Sequence, residues 1–359
     1  MENHILSIGT ANPGSPIPQM QISKFMKLAH QLDEREGRKL NFVYKSSGIE
    51  FRHSALEDFK YNDPSSFKFF PPNTSLDPFP STDKRMRVFE KNALDLGKAA
   101  INSCLEKSKV LAEEITHMVL VSCTGMYAPG LEIDLIHELG IPTNVERYCI
   151  HFMGCYAAFN AIKLADRICD SEPSAKVLIL SVELCTIHFQ KEYNEDNLIA
   201  NAIFGDGAAA AIVAKQEKGL AIKNYSSQII REGIHDMAWR IGDFGFEMKL
   251  SKYVPELLHK GLNSLSGYLE KLHQLSEVNH FAVHPGGKQI LQKVEEVFGI
   301  TASQNDLSHQ VLKQYGNMSS ATILFVLAGW LADRDRFGKI LAMGFGPGLT
   351  LETLLLEKS

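Results

Sequence analysis

The stretch Cys149-Ile-His-Phe-Met-Gly-Cys-Tyr-Ala-Ala-Phe159 passes from an apolar segment through Gly154 into small residues at helical spacing. This order predicts a strand, a sharp turn and a helix, with Cys155 in the first turn of the helix. A helix N-terminus favours a thiolate, so Cys155 is a candidate nucleophile. A buried structural cysteine is the alternative, because free cysteine is among the most buried residue types.

The same alternation extends outward along the chain. Short apolar runs alternate with longer segments of helical periodicity, which is typical of an α/β fold with a helix-covered sheet. Strands are predicted at 5–9, 117–122, 147–151, 176–182, 208–213, 280–283 and 339–343. Helices are predicted at 81–107 (capped by Ser81 or Thr82), 155–168, 251–275, 288–298 and 319–332. The proline-rich segment 61–83 predicts an irregular loop.

Composition excludes several classes of protein. The 359 residues are 45% hydrophobic and 22% charged, with a formal net charge of -5 and dispersed basic residues, so nucleic acid is a poor candidate partner. We expect no secretory signal, and no apolar run reaches the roughly 18 residues of a transmembrane helix. The six cysteines show neither zinc-site nor disulfide spacing, which predicts a reduced, cytoplasmic protein without a metal site.

A second strand-turn-helix unit, Phe281-Ala-Val-His-Pro-Gly-Gly-Lys288, resembles the first in outline. It places His284 at the carboxyl end of a strand, where ligands bind in α/β sheets. Gly286 and Gly287 allow a substrate to approach the backbone closely. A lone core or surface histidine is the alternative.

Two further segments carry candidate functional residues. In Tyr315-Gly-Asn-Met-Ser-Ser-Ala321, Asn317 is either an ordinary helix cap or a hydrogen-bond donor to a developing oxyanion. Gly344-Phe-Gly-Pro-Gly-Leu-Thr350 lacks the Lys-Ser/Thr of a phosphate loop, so it is interpreted as a backbone scaffold beside a cavity. The coarse repeat of the two units predicts two similar halves, 1–218 and 219–359.

Taken together, these motifs resemble the type III polyketide synthases, the family of chalcone and stilbene synthases. The resemblance spans nearly the whole chain and is carried by Gly154-Cys155, Phe204-Gly-Asp-Gly-Ala-Ala, His284-Pro-Gly-Gly, Tyr315-Gly-Asn-Met-Ser-Ser and Gly344-Phe-Gly-Pro-Gly-Leu-Thr. It implies a thiolase-like α/β fold with a five-layered αβαβα core built from two similar halves, normally assembled as a homodimer.

The resemblance also implies roles for three residues. Cys155 matches the nucleophile that takes the acyl group from a starter acyl-CoA, beside an imidazolium. His284 and Asn317 match the residues that stabilise the enolate formed when malonyl-CoA loses carbon dioxide. That enolate attacks the acyl thioester on Cys155, and no metal or redox cofactor is required. Cys155 should therefore react with iodoacetamide near neutral pH faster than the other thiols.

Several cavity positions depart from the plant members of the family. Phe204 matches the first of two gating phenylalanines, but Met248 stands at the second position, with Phe244 or Phe246 as a substitute if the loop is displaced. Positions 123–130 cover a wall and the dimer-contact loop, where Ala128 replaces a methionine. The other substrate-binding candidates are Thr124, Cys185, His188, Trp239, Ser319, Gly286 and Gly287.

Trp239 stands where the plant enzymes have a glycine, so its large side chain must fill or redirect the cavity. The resemblance therefore predicts a pyrone or resorcinol-type product from an aliphatic or small acyl-CoA, and not a chalcone. At the tunnel mouth, Lys45 and Arg38 match residues that bind CoA, whereas Asn41 replaces an expected arginine. Solvated surface charges are the alternative for Lys45 and Arg38.

Three other functions remain open at this point. A ketoacyl-ACP synthase III uses the same three residue types, but it usually carries His-Gln-Ala-Asn where this chain has His284-Pro-Gly-Gly. An HMG-CoA synthase needs a catalytic glutamate, for which Glu183 is the candidate, although a structural role fits it better. A non-catalytic acyl-CoA binding protein would be expected to have lost part of the trio.

Overall fold

The computed structural model describes residues 2–359 and consists mainly of a large mixed sheet with helices. The strands are β1 (His4–Ala11), β2 (Ile17–Pro18), β3 (Phe51–Arg52), β4 (His117–Ser122), β5 (Glu146–His151), β6 (Lys176–Leu184), β7 (Asp206–Ala214), β8 (Leu220–Ile229), β9 (Met237–Gly242), β10 (Gly245–Leu250), β11 (Val278–Val283), β12 (Gly338–Gly346) and β13 (Thr350–Lys358). The α-helices are α1 (Gln19–Ala29), α2 (Glu34–Ser46), α3 (Thr82–Ser108), α4 (Leu131–Leu139), α5 (Ala157–Ser171), α6 (Glu195–Ile203), α7 (Val254–His273), α8 (Lys288–Phe298), α9 (Asp306–Tyr315) and α10 (Ala321–Ala332).

The elements predicted from apolar periodicity are present, and their ends lie within three residues of the predicted ones. Ser81 caps α3, since its Oγ accepts the N–H of Lys84 at 3.4 Å. The segment 61–81 is irregular apart from a short 3-10 turn, Pro64–Ser66, and the last two residues of the predicted loop already belong to α3. The β9–β10 hairpin was not predicted, because both strands are half exposed and lack a continuous apolar run.

The sheet shows the same strand pattern twice. In one half β1 pairs antiparallel with β7, β7 antiparallel with β6, and β6 parallel with β4. In the other half β8, β13, β12 and β11 repeat this order of antiparallel, antiparallel and parallel pairs. A short antiparallel pair between β1 and β8 joins the two sets of strands.

The alternation of side chains along each strand separates the layers. Met118 and Leu120 of β4 belong to the core under α3, whereas Val119 and Val121 face a second core that contains α5 and α10. Residues of β12 alternate in the same way, between this second core and a third core under α7 and α8. Three cores between helix and sheet layers give the αβαβα arrangement, so the expectation of a five-layered fold is confirmed.

This arrangement brings strand ends from both halves to one place. The parallel strands β4, β5 and β6 of the first half end at the same edge of the sheet. The strand β11 of the second half ends where the two halves meet. Residues that follow these strands therefore converge on a common cavity.

Candidate active site

Cys155 lies in a short 3-10 turn, Gly154–Tyr156, between β5 and α5. Gly154 has a φ of 77°, and a Cβ at this position would lie 2.1 Å from the Cδ of Pro347. Only glycine fits this left-handed conformation so close to another chain segment. The loop after β12 therefore braces the turn, as its interpretation as a scaffold predicted. Cys155 itself precedes the first α-helical turn and does not lie within it.

Asn317 is held by the segment that contains the phenylalanine candidate. It forms a β-bridge with Phe204, and its carbonyl accepts the N–H of Gly205 at 2.9 Å. The Oδ1 of Asn317 accepts the N–H of Ser319 at 2.8 Å. This bond assigns the orientation of the amide, so its Nδ2 is the donor end toward the cavity.

The amide of Asn317 links the two strand-turn-helix units. Its Nδ2 lies 3.9 Å from the Sγ of Cys155 and 3.4 Å from the carbonyl oxygen of Gly286. Gly286 belongs to the turn that follows His284, whose N–H donates to the carbonyl of Met343 at 2.7 Å. The three candidate residues are therefore together, although Cys155 and Asn317 are separated by 162 positions in the chain.

The imidazole of His284 is buried without a hydrogen-bond partner. The residue is 1% exposed, and neither of its ring nitrogens has a hydrogen-bond partner among residues 2–359. The residue lines the same cavity as Cys155 and Asn317. Because a buried polar group without a partner is costly, this arrangement is expected where a ligand supplies the missing partner.

Burial is the main cause of the pKa shifts of Cys155 and His284. It raises the pKa of Cys155 to about 12, against the opposing effect of hydrogen bonds from Ser319 and Asn317. It also lowers the pKa of His284 to about 3. A thiolate without an imidazolium beside it, or an imidazolium without a thiolate, is thus disfavoured in this cavity. This differs from the expectation that the helix N-terminus favours a thiolate. Transfer of a proton from the thiol to the imidazole would create both charges together, and each would offset the desolvation of the other.

The cavity has a volume of about 480 Å³. It is lined by the candidate trio and by nine further residues that the sequence singled out: Thr124, Cys185, His188, Phe204, Trp239, Met248, Gly286, Gly287 and Ser319. Lys45 and Arg38 are not among the lining residues.

Three stacked or edge-on rings form one wall of the cavity. The Nδ1 of His188 accepts the N–H of Phe246 at 2.9 Å, so its Nε2 carries the proton and donates to the carbonyl of Thr124 at 2.7 Å. Burial lowers the pKa of His188 to about 3. His188 stacks on Phe246 with centroids 4.1 Å apart, and Trp239 meets both rings edge-on. With both nitrogens used, His188 acts as a wall and not as an acid or base.

The β9–β10 hairpin supplies the residues whose placement the sequence left open. Trp239 and Met248 are direct cross-strand partners, so their side chains lie on one face, which lines the cavity. The Nε1 of Trp239 donates to the carbonyl of Cys123 at 2.7 Å, which fixes the indole. Phe246 lines the cavity and is 2% exposed, whereas Phe244 is 49% exposed at the turn. An aromatic ring therefore remains beside Met248.

Glu183 lies behind the cavity wall and does not line it. Its carboxylate accepts the N–H of Cys123 at 3.0 Å and the hydroxyl of Thr124 at 2.8 Å, and a third bond comes from the Ser320 hydroxyl. Burial raises the pKa of Glu183 to about 7, although these hydrogen bonds oppose the shift. The carboxylate holds the ends of β4 and β6 together, which is the structural role that fitted it better.

The raised pKa of Glu183 predicts how stability depends on pH. Between the ordinary value of 4.5 and about 7, the folded state holds a proton that the unfolded state has lost. The contribution of Glu183 to the unfolding free energy is therefore greatest at low pH and is lost as the pH rises through about 7. Wild type should lose about 2 kcal/mol of unfolding free energy between pH 5.5 and 8 relative to Glu183→Gln.

Glutamine is a suitable replacement, because its oxygen can accept the two donors from Cys123 and Thr124 while its amide donates to the Ser320 hydroxyl. Denaturant unfolding of both proteins at several pH values measures the difference. Parallel pH curves for the two proteins would contradict the assignment.

Two family models match the chain from one end to the other. The model of the N-terminal domain of chalcone and stilbene synthases matches residues 2–217, and that of the C-terminal domain matches residues 221–359. The chain belongs to the chalcone and stilbene synthase family. It is a type III polyketide synthase, a CoA-dependent acyltransferase with the thiolase-like fold of that family.

Individual relatives agree with this assignment. A putative chalcone synthase of Bacillus subtilis is 28% identical, and the match covers 98% of each chain. The alpha-pyrone synthesis polyketide synthase-like Pks18 of Mycobacterium tuberculosis is also 28% identical, over 91% of this chain and 84% of the relative. The C-terminal type III polyketide synthase domain of Steely1 from Dictyostelium superposes with a TM-score of 0.91 at 25% identity, covering 100% of this chain and 99% of that domain.

In this polyketide synthase, the two basic residues expected at the mouth lie on α2. Arg38 is exposed and lies 3.9 Å from Glu34, and Lys45 is exposed further along the helix. Phe42, which is 72% exposed, lines the cavity between them at helical spacing. Lys45 and Arg38 therefore flank the rim and do not enter the cavity.

The sequence missed three residues that line the cavity near its rim: Phe42, Lys252 and Lys288. Lys288 directly follows Gly287 at the start of α8, so the signal was present in the motif itself. Phe42 could have been found from its spacing to Arg38 and Lys45. Lys252 follows β10, which the sequence did not predict.

Among residues 2–359, no helix has the length and apolarity needed to cross a membrane.

Proposed function

We propose that this type III polyketide synthase loads an acyl group from a starter acyl-CoA onto Cys155 and extends it with malonyl-CoA. The observation that supports this most strongly is the unpartnered, buried imidazole of His284 in the same cavity as Cys155 and Asn317. The cavity has room for a reacting carbonyl beside this imidazole, and no protein group competes for its ring nitrogens.

In the loading step, the Sγ–H proton of Cys155 passes to His284. The thiolate attacks the acyl carbonyl, a new carbon–sulfur bond forms, and the bond to the CoA sulfur breaks. The CoA thiolate then takes the proton from His284, so the imidazole returns to its neutral form. Burial favours this neutral form before and after the step.

In the extension step, malonyl-CoA loses carbon dioxide and leaves an enolate. The Nδ2 of Asn317 and an imidazole N–H of His284 donate hydrogen bonds to the enolate oxygen. The Asn317 amide is pre-oriented for this, because its other end is occupied by the Ser319 N–H. The enolate carbon attacks the acyl thioester, a carbon–carbon bond forms, and the Cys155 thiolate is released.

We propose an aliphatic or small acyl-CoA as starter and a pyrone or resorcinol-type product. The bulk of Trp239, fixed by its bond to Cys123, and the flexible Met248 beside it support this choice. The name of the Mycobacterium relative, which refers to alpha-pyrone synthesis, is in line with it.

Further parts of the proposal concern assembly and organisation. We propose a cytoplasmic homodimer of chains whose halves are 1–218 and 219–359, with no metal or redox cofactor in the reaction. Lys45 and Arg38 are proposed to meet the phosphates of CoA from the exposed face of α2. An exposed basic side chain suits that task, since phosphate binding needs a positive charge and not burial.

The experiment that tests the proposal is a panel of starter acyl-CoAs incubated with radiolabelled malonyl-CoA, followed by mass analysis of the products. We expect products extended by two-carbon units from aliphatic starters. Release of CoA without polyketide, unchanged in Cys155→Ala, would contradict the proposal.

Substitution of Trp239 by glycine tests the shape of the cavity. Removal of the indole opens the wall beside Met248, so we expect longer products or larger accepted starters, as read from the product masses. Phe244→Ala is the matched control, because Phe244 belongs to the same hairpin but does not line the cavity. The same product profile in wild type and Trp239→Gly would show that Trp239 does not limit the cavity.

A further inference from the structure

A cluster of three ligand-type side chains lies at the edge of the sheet opposite the active site. His117 begins β4, Glu146 begins β5 and Glu172 follows α5. One ligand atom from each, an imidazole nitrogen and two carboxylate oxygens, lie within 4.8 Å of one another. Cys123, six residues after His117 and directly after β4, lines the cavity, so the cluster is about 20 Å from the active site at the rise of a β-strand.

The backbone fixes the three ligand positions. His117 and Glu146 are register partners in the parallel β4–β5 pair. The N–H of Glu172 donates to Ile168 at the end of α5, and its carbonyl accepts the N–H of Ala175. Three separate chain segments therefore present their side chains to one point, and only the side chains have to move to close around an ion.

The hydroxyl of Thr116 holds the His117 ring from its Nδ1 side. The Thr116 hydroxyl donates to the carbonyl of Lys176 at 3.2 Å and accepts the N–H of Lys176 at 3.0 Å. The same hydroxyl lies 2.8 Å from the Nδ1 of His117, so this ring nitrogen already has a protein partner. Nε2 is the ring nitrogen that is left for a ligand.

The Nε2 of His117 faces the two carboxylates. The Nε2 of His117 lies 3.8 Å from an oxygen of Glu146 and 3.9 Å from an oxygen of Glu172, and it has no hydrogen-bond partner among residues 2–359. The imidazole is 3% exposed, whereas the carboxylates are 60% and 55% exposed. Within the described chain, neither carboxylate forms an ion pair with a lysine or arginine. The Glu146 oxygen that faces the ring also accepts the Tyr148 hydroxyl at 3.0 Å, which holds this carboxylate in place. An imidazole nitrogen and two carboxylate oxygens that face one another, with no lysine or arginine paired to them, form a ligand set that favours a bound cation.

We propose that His117, Glu146 and Glu172 bind a divalent first-row transition metal ion, best represented by Zn²⁺. An imidazole nitrogen with two carboxylates suits Zn²⁺ better than Mg²⁺ or Ca²⁺, which prefer oxygen ligands only. Thr116 completes the site, because an outer partner on the second ring nitrogen fixes the tautomer of a metal-binding histidine. The exposed glutamates close in by roughly an ångström to reach Zn–O distances of about 2.0–2.2 Å, and water completes the coordination.

The ion would tie β4, β5 and the end of α5 together. Since α5 starts directly after the turn that carries Cys155, the site braces the far end of the helix that supports the nucleophile. The expected effect is on stability, and it does not depend on the polyketide reaction.

Calorimetric titration of the EDTA-treated full chain with Zn²⁺ tests the proposal. We expect one ion per chain and, at about 100 times the dissociation constant, a Tm increase of about 3–4 °C. His117→Gln and Glu172→Gln should each weaken binding at least tenfold, and Thr116→Val should weaken it about tenfold through the lost outer bond. His259→Gln is the matched control, because His259 is a partly buried histidine that faces one carboxylate only.

Cobalt substitution separates this site from the cysteines. Co²⁺ bound by nitrogen and oxygen lacks the thiolate charge-transfer absorption that a cysteine ligand produces. We expect no such band in wild type and loss of the weak visible bands in His117→Gln. Equal Zn²⁺ affinity and equal Tm response in wild type, His117→Gln and Glu172→Gln would overturn the proposal and leave an ion pair only.

Discussion

Replacement of Cys155 by alanine should reduce polyketide formation at least about a thousandfold. Without the thiol there is no atom to hold the growing chain, so intact-protein mass spectra should lose the mass increment of the starter acyl group. Decarboxylation of malonyl-CoA should continue, because in our proposal it depends on His284 and Asn317. Starter-dependent CoA release and malonyl decarboxylation are measured separately to show this.

Cys185→Ala is the matched control for this experiment. Cys185 lines the same cavity and is 7% exposed, but it follows β6 and lies outside the turn that Gly154 and Pro347 shape. The control should keep the acyl increment. An acyl increment that persists in Cys155→Ala and disappears in Cys185→Ala would identify Cys185 as the nucleophile and contradict the proposal.

The sequence predicted most reliably those elements whose backbone surroundings leave little choice. The apolar run of β4, His117–Ser122, was predicted to the residue, because its side chains are buried on both faces. The turn at Gly154-Cys155 was predicted because glycine followed by small residues is required where a strand turns closely into a helix.

The β9–β10 hairpin shows where such prediction stops. Its strands are short and half exposed, so no apolar periodicity marks them. Its position is fixed by long-range contacts, such as the bond from Trp239 to the carbonyl of Cys123, 116 residues away. The choice between Phe244 and Phe246 as cavity residue depends on this placement, and the sequence carries no local signal for it.

The charge state of the active site was also beyond the sequence. A helix N-terminus predicted a lowered pKa for Cys155, whereas burial raises it to about 12. Burial depends on how the loop after β12 and the hairpin close over the cavity, which only the folded chain determines. Desolvation of a single buried charge outweighs the partial charge of one helix end.

Replacement of His284 by glutamine should remove the base that receives the proton of Cys155. Burial, which raises the pKa of Cys155 to about 12, is then not offset by an imidazolium, so the thiolate fraction should rise tenfold per pH unit. Alkylation by iodoacetamide should follow this slope between pH 7 and 10 in His284→Gln. Wild type should react at least about tenfold faster at pH 7 and show a shallower slope, because the imidazole forms the ion pair.

The same variant should lower malonyl decarboxylation at least about a hundredfold, because the glutamine amide does not place its N–H where the imidazole N–H donates to the enolate oxygen. Asn317→Ala should also lower decarboxylation but slow the alkylation of Cys155 much less than His284→Gln, since it removes a hydrogen bond that lowers the thiol pKa but leaves the base in place. His273→Gln controls for loss of a buried imidazole, because His273 bonds Thr353 at 2.8 Å outside the cavity. Matching alkylation profiles for wild type and His284→Gln would mean that Cys155 ionises without His284. The imidazole would then act only on the enolate, and loading would need another base.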